Sequence, residues 1–329
     1  MARPGARNLI TDIDGILVGQ ADNPLVRTGV TVVVAETPCL GAVAIAGGGP
    51  GTRETDLLGE GRLASGHVDA ICLSGGSAYG LAAADGVMAG LRQQGRGFAL
   101  ARRPGVPATP IVPGAILYDL ANGGDKEWGE TAPYAGLGRA AFGAAGKAFR
   151  LGRAGAGYGA AAGTGPGGTG SASIVTQEGF SVGALAAVNS FGSVRMPGSD
   201  AFWAWPYEID GEFGGARPSA GFSFDAEDWG AAKVSAQPRE NTTIACIATD
   251  VAVSHDEAQR IAQMALAGMA RAIRPVFAPT DGDVIFVLST ARRQVAAPRP
   301  LLVTRLGELA AGTLARAIAR GVCAAEQPS

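Results

Sequence analysis

Charge is scarce in this chain, and so are aromatic residues and histidine. Asp, Glu, Lys and Arg make up 17% of its 329 residues, aromatics 6%, and there are two histidines. The net charge of -2 argues against a nucleic-acid groove or an anionic membrane surface as the main partner, because both need concentrated positive charge. The four cysteines, Cys39, Cys72, Cys246 and Cys323, show no CxxC spacing and no histidine at metal-ligand distance. Neither a metal nor a cofactor is called for. Cys72 and Cys246 lie in apolar runs and read as small buried hydrophobes, which fits a reducing compartment. No apolar run follows the basic N-terminus as in a signal peptide, and none is long enough to span a bilayer. The uncharged stretch 154–176 is too rich in glycine for a membrane helix. A cytoplasmic protein is expected.

Glycine is plentiful instead, at 51 residues, and 47% of the chain is hydrophobic. That mixture suggests helices and strands packed closely and joined by glycine turns. Residues 29–35 and 42–46 read as a hairpin with Pro38–Gly41 in its turn. Further strands are expected at 70–73, 114–120, 171–176, 181–188, 244–253 and 284–288. Helices are expected at about 78–92, at 132–148, and at 301–322. Ser254 and Glu257 form a capping box ahead of another helix, which carries Ile261, Met264, Ala265 and Gly268 on one face and ends at Pro275. Between these lie a glycine-dense loop, 152–170, and a long irregular loop, 197–241. Hairpins and helices in separate runs favour an α+β layered sandwich over a doubly wound sheet.

The glycines of 163–168 have GxGxxG spacing, but Pro166 interrupts them and no helix follows, so a dinucleotide site is not supported. His67 and His255 sit in a loop and a helix cap, which leaves little from which to build a Ser-His-Asp triad. A hydrolase made from these residues needs another base. A Thr or Ser at a newly cut N-terminus carries one, its own α-amine, with a pKa of about 7.7–8.0. Asn241-Thr242 is placed for that chemistry, at the end of an irregular loop and the start of a buried strand. Taken alone, the pair is also ordinary loop sequence.

Several blocks, in order along nearly the whole chain, carry a family resemblance. They are Leu9-Ile10-Thr11-Asp12, the run Pro50 to Asp56, Leu73 to Gly80, Gly152 to Gly157, Val188-Asn189, Asn241-Thr242-Thr243-Ile244, and Asp281-Gly282-Asp283 before Val284. Together they resemble the DmpA-like self-processing peptidase/amidase family, peptidase family S58. The resemblance implies a four-layer αββα sandwich akin to the N-terminal-nucleophile hydrolases. It implies one domain cut into a large fragment, 1–241, and a small one, 242–329, that assemble as a tetramer of processed units. It also implies roles: Thr242 as nucleophile, Asn189 holding the nucleophile or oxyanion, and Asp281 with Asp283 positioning the new amine and hydroxyl. Tyr118 would lie near the scissile carbonyl. The Gly75-Gly76-Ser77 turn would offer N–H groups to developing negative charge.

Two positions depart from the family pattern. Ile116 stands where the aminopeptidase branch has a glutamate that grips the substrate ammonium. Thr164 stands where the nylon-oligomer hydrolase branch has a lysine. The aspartate pair resembles that second branch, so short linear amides such as 6-aminohexanoate oligomers are the expected substrates. An aminopeptidase or esterase acting at small or β-amino N-terminal residues is the alternative. A poorly processed, non-catalytic scaffold is a further one.

Overall fold

The turn expected at Pro38–Gly41 is absent. In the computed structural model, which describes residues 2–101, 103–223, 225–233 and 241–327, Thr28–Ile45 is one strand of 18 residues. Its first part pairs with 68–74 and its last part, Leu40 to Ile45, with 284–289. Between them the register shifts, and Glu36, Thr37 and Pro38 are exposed. Pro38 donates no ladder hydrogen bond, so it is tolerated where the strand bends out of one sheet and into the next. Alternation on both sides of a bend looks, in sequence, like two strands of a hairpin.

The strands in chain order are β1 (Ile16–Asn23), β2 (Thr28–Ile45), β3 (Thr52–Arg53), β4 (Val68–Ser74), β5 (Gly114–Ile116), β6 (Ala161–Ala162), β7 (Gly165–Pro166), β8 (Gly168–Val175), β9 (Ser181–Asn189), β10 (Thr242–Val251) and β11 (Val284–Arg293). The helices are α1 (Ala83–Gln93), α2 (Tyr134–Gly143), α3 (His255–Ala272) and α4 (Arg299–Glu326). The hydrogen-bonded order is β3-β5-β4-β2-β11-β10-β9-β8, with β1 also on β2. The β5 ladder stops at Ile116, short of the expected 120, and the hairpin β6–β7 and a short turn at 155–157 occupy part of the expected glycine loop.

Period-two burial separates the layers. On β10, Ile244, Cys246 and Ala248 share a core with Val33, Ile71, Leu73 and Phe286 between the two halves of the sheet. The alternate residues Ala245, Ile247 and Val251 pack on Ile261 and Ala265 of α3 and Leu314 and Ile318 of α4. On the other half, Val30, Val32 and Val34 pack on Ala84, Val87 and Leu91 of α1 and Ala141 of α2. The result is helix, sheet, sheet, helix: the expected αββα sandwich. Glycine sets the closeness of the layers. A Cβ on Gly170 of β8 would lie 1.9 Å from the Ala317 carbonyl oxygen of α4. The Ser254–Glu257 box caps α3 as expected, with Ser254 N–H donating to Glu257 at 2.7 Å. Among the described residues no helix is long and apolar enough to cross a membrane.

The long irregular segment is tied down by a buried ion pair. Arg316 of α4 and Glu212 have side chains only 3% and 8% exposed. Arg316 also donates to Asn8 Oδ1 at 2.9 Å and to the Ser173 carbonyl at 2.9 Å. Glu212→Ala would strand that guanidinium, so we expect a loss of about 3–5 kcal/mol in unfolding free energy. Urea denaturation measures it, and a loss below about 1 kcal/mol, the range of exposed pairs, would show that the clamp does not hold the loop.

Candidate active site

Thr242 opens β10, in the interior of the sheet, directly opposite Asn189 of β9. Asn241 forms a parallel bridge to Asp281, just ahead of β11. Both residues of the Asn241–Thr242 bond are buried, at 0% and 2% exposure. A polar junction so deep must be accounted for bond by bond. The Thr242 hydroxyl donates to the Asn241 carbonyl oxygen. The Gly282 N–H donates to the same oxygen at 3.0 Å. The Thr243 N–H donates to Asp283 Oδ1 at 2.6 Å, and the Ala278 N–H to Asp281 Oδ2 at 2.9 Å. Among the described residues three buried oxygens here find no hydrogen-bond partner: Asn241 Oδ1, Thr243 Oγ1 and Asp281 Oδ1. Unsatisfied polar oxygens clustered at one peptide bond single it out as a candidate site.

The two carboxylates are electrostatically unusual. Burial pushes Asp283 up, the neighbouring Asp281 charge pushes it further, and the Thr243 and Phe277 N–H groups pull it partly back, leaving it at about 7. Burial also raises Asp281, against the backbone N–H groups of Ala278 and Phe191 and the charge of Lys233. The pair therefore shares a proton near neutrality.

A stability prediction follows from the sign. Asp283 binds its proton more tightly folded than unfolded, so its stabilising contribution is complete below its unfolded pKa of about 4. It is lost as pH rises through about 7. Asp283→Asn cannot titrate. In an uncleavable Thr242→Ala background, we expect the Asn variant to gain stability relative to its parent between about pH 4 and pH 7 and then level off. A difference in melting temperature that does not change with pH would contradict this.

Asn189 braces the neighbouring walls. Its Oδ1 accepts from the Ala161 N–H at 2.9 Å and its Nδ2 donates to the Tyr118 carbonyl at 2.9 Å. Asn189 and Tyr118 line a cavity of about 210 Å³ together with Asp119, Asn122, Ala161 and Lys233. Asn189→Ala removes both braces, and if the expected role of Asn189 at the oxyanion holds, turnover should fall by about 10²–10³-fold. Steady-state rates on a chromogenic amide check it, and a change under about threefold would exclude a role for Asn189 in the centre.

The N–H groups of Gly75, Gly76 and Ser77, the expected anion site, are engaged within the fold. They already donate to the Gly29 carbonyl at 2.9 Å, Asp119 Oδ1 at 2.7 Å and the Leu117 carbonyl at 2.9 Å. The turn is stitched between β2 and the segment after β5, and it has no N–H left for a substrate. Asp119, which also accepts from the Thr28 hydroxyl at 2.6 Å, is pushed up to about 6 by burial. Ile116 is buried, and its Cδ1 lies 2.4 Å from where a Cβ on Gly51 would be. Thr164 is exposed, and its N–H donates to the Ala231 carbonyl at 2.7 Å. His255 bonds the Leu58 carbonyl at 2.8 Å and His67 stacks edge-on to Phe98, so each ring is engaged elsewhere in the fold. Of the residues that precede the junction, 234–240 lie outside the described residues.

Sequence reasoning missed three groups: the Gly282 N–H, Asp119 and Lys233. Only Gly282 left a signal, as the small residue between two acids.

The model of Peptidase family S58 matches residues 8–329. The chain belongs to that family. It is 42% identical to an uncharacterised aminopeptidase of Mycobacterium tuberculosis, over 97% of this chain and 94% of the relative. It is 31% identical to the 6-aminohexanoate-oligomer endohydrolase of Kocuria sp., over 87% of this chain and 76% of that enzyme. A Burkholderia sp. β-aminopeptidase superposes with a TM-score of 0.71 at 22% identity, covering 98% of this chain and 88% of the other. The Ochrobactrum anthropi L-aminopeptidase/D-Ala-esterase/amidase, a variant of the N-terminal-nucleophile hydrolase fold, superposes with a TM-score of 0.67 at 17% identity, covering 99% and 88%. This S58 member is a hydrolase of amide bonds.

Proposed function

We propose that the chain cuts itself between Asn241 and Thr242 and that the freed Thr242 then hydrolyses short linear amides, 6-aminohexanoate oligomers among them. The observation that carries this reading is the Asn241 carbonyl, which receives both the Thr242 hydroxyl and the Gly282 N–H. In self-cleavage the Thr242 oxygen adds to that carbonyl carbon. Its proton passes to the departing Thr242 nitrogen as the C–N bond breaks, leaving an ester. Water then hydrolyses the ester to an Asn241 carboxylate and a free Thr242. The Gly282 N–H stabilises the oxyanion in the first step.

The new amine is released next to Asn241, which bridges to Asp281; Asp281 Oδ1 is buried without a hydrogen-bond partner among the described residues. As a free base the amine takes the hydroxyl proton when Oγ1 attacks a substrate amide. The acyl group passes to Oγ1, the substrate amine leaves with the proton, and water completes the cycle. Asn189 and the cavity it braces supply the neighbouring surface. Ile116 is buried and uncharged, so that position supplies no carboxylate for an ammonium group, which favours substrates without a free amine there.

A second reading, an aminopeptidase, is favoured by Asp119, a carboxylate that lines the same cavity as Tyr118 and Asn189. A panel of matched amides with free and acetylated amines separates the two. Retained turnover on the acetylated member supports the first reading. Loss of about 10²-fold or more on acetylation, the scale of an unpaired buried charge, supports the second.

A further inference from the structure

The segment that runs toward the Asn241–Thr242 bond delivers a cation to the site. Lys233 lines the cavity with Tyr118 and Asn189. Its Nζ donates to the Asn189 carbonyl at 3.5 Å, and Asn189 lies directly across the ladder from Thr242. Two backbone bonds fix the approach. The Lys233 N–H donates to the Phe191 carbonyl at 2.9 Å, just past the end of β9, and the Thr164 N–H donates to the Ala231 carbonyl at 2.7 Å. The fit at Ala231 is tight: a Cβ on Gly163 would lie 2.1 Å from its carbonyl oxygen. Residues 231–233 are thus held as a strap between the glycine loop and β9, with the lysine turned into the centre.

We propose that Lys233 is a positioning residue for the hydrolytic reaction: its ammonium group lowers the proton affinity of the freed Thr242 amine, so that the amine works as a base near neutral pH. The proposal rests on the reading of Thr242 as the nucleophile. An amine that must accept the hydroxyl proton has to be unprotonated first, and its charged neighbours decide how readily it is. Asp281, bridged to Asn241 next to Thr242, favours the protonated ammonium form and works against catalysis. Asp283 shares its proton with Asp281 near neutrality and adds little further negative charge. On the cavity side are Asp119 and Tyr118, with Lys126 acting on Asp119. Lys233 is the one cation lining the cavity among the described residues, and it also opposes protonation of Asp281. Nζ lies 3.5 Å from the Asn189 carbonyl and cross-strand neighbours are about 5 Å apart, so the ammonium acts over roughly 8–9 Å, enough for a shift of about one pH unit in a partly solvated site.

The test is the pH dependence of kcat/KM for the cleaved enzyme and its Lys233→Met and Lys233→Arg variants. The cleaved fraction of each is isolated first, so that slow self-cleavage does not mask the readout. N-terminal sequencing confirms that each small fragment starts at Thr242, and failure there overturns the nucleophile assignment before Lys233 is measured at all. The acidic limb of the profile should move up by about one pH unit in Lys233→Met and stay in place in Lys233→Arg. Carbamylation of the Thr242 amine by cyanate, which consumes only the free base, should shift in parallel and is independent of substrate binding. Limbs and carbamylation profiles that coincide for parent and Met variant would overturn the proposal. So would equal shifts in the Met and Arg variants.

Discussion

Thr242→Ala is expected to run as one full-length band on a denaturing gel and to lose more than about 10⁴-fold of its amide turnover, the scale seen when a nucleophile is removed. In the proposed mechanism one side chain carries both effects, because the same oxygen performs both reactions. In the intact chain it lies against the Asn241 carbonyl, and in the proposed mechanism it attacks substrate once cleavage has freed it. Alanine leaves the burial of the junction nearly unchanged and β10 paired on both sides, so the variant should fold. Thr242→Ser keeps the hydroxyl and should retain both activities. An alanine variant that stays whole yet still hydrolyses amides would mean that Thr242 is not the nucleophile.

Gly282→Ala is the second large effect, and it tests the geometry rather than the chemistry. A Cβ at this position would lie 2.8 Å from Thr242 Oγ1 and 2.9 Å from the Gly49 carbonyl oxygen. Gly49 is itself fixed, because its N–H donates to the Asp281 carbonyl at 2.7 Å. The added methyl must therefore push the Thr242 hydroxyl or the Gly282 N–H, and either movement disturbs the Asn241 carbonyl. Displacements of about 1 Å at a reacting centre cost about 10²-fold, and losing the N–H as an oxyanion donor costs about 10²–10³-fold. Self-cleavage should slow by at least the first of these, with only a modest fall in melting temperature. Gly221→Ala, where a Cβ meets nothing within 4 Å, is the control. Wild-type cleavage rates in Gly282→Ala would remove Gly282 from the site.

The layers and the junction were legible in the sequence for different reasons. Alternation on β10 and the Ser254–Glu257 box are local signals, and both structures form where expected. The bend in β2 was not legible, because apolar alternation on either side of Pro38 has the same pattern in a hairpin and in a strand that changes sheets. The Asn241–Thr242 bond stood out through what surrounds it: an irregular approach, a buried strand, and Asp281 with Asp283 farther along. The Gly75–Ser77 turn is harder to read from sequence, because a Gly-Gly turn ahead of a helix suggests free N–H groups. Whether they are free depends on Gly29, Leu117 and Asp119, which only the fold brings near. Lys233 lies in a stretch without periodicity, and nothing local distinguishes it from a surface lysine.

The measurement that bears most directly on the account is intact-mass analysis with N-terminal sequencing of the purified, active protein. It should contain two species that stay together under native conditions. One should end at Asn241, and the other should span residues 242–329 with a free Thr242 at its start. A single uncleaved chain with full amide turnover, or a small fragment beginning at any other residue, would contradict it.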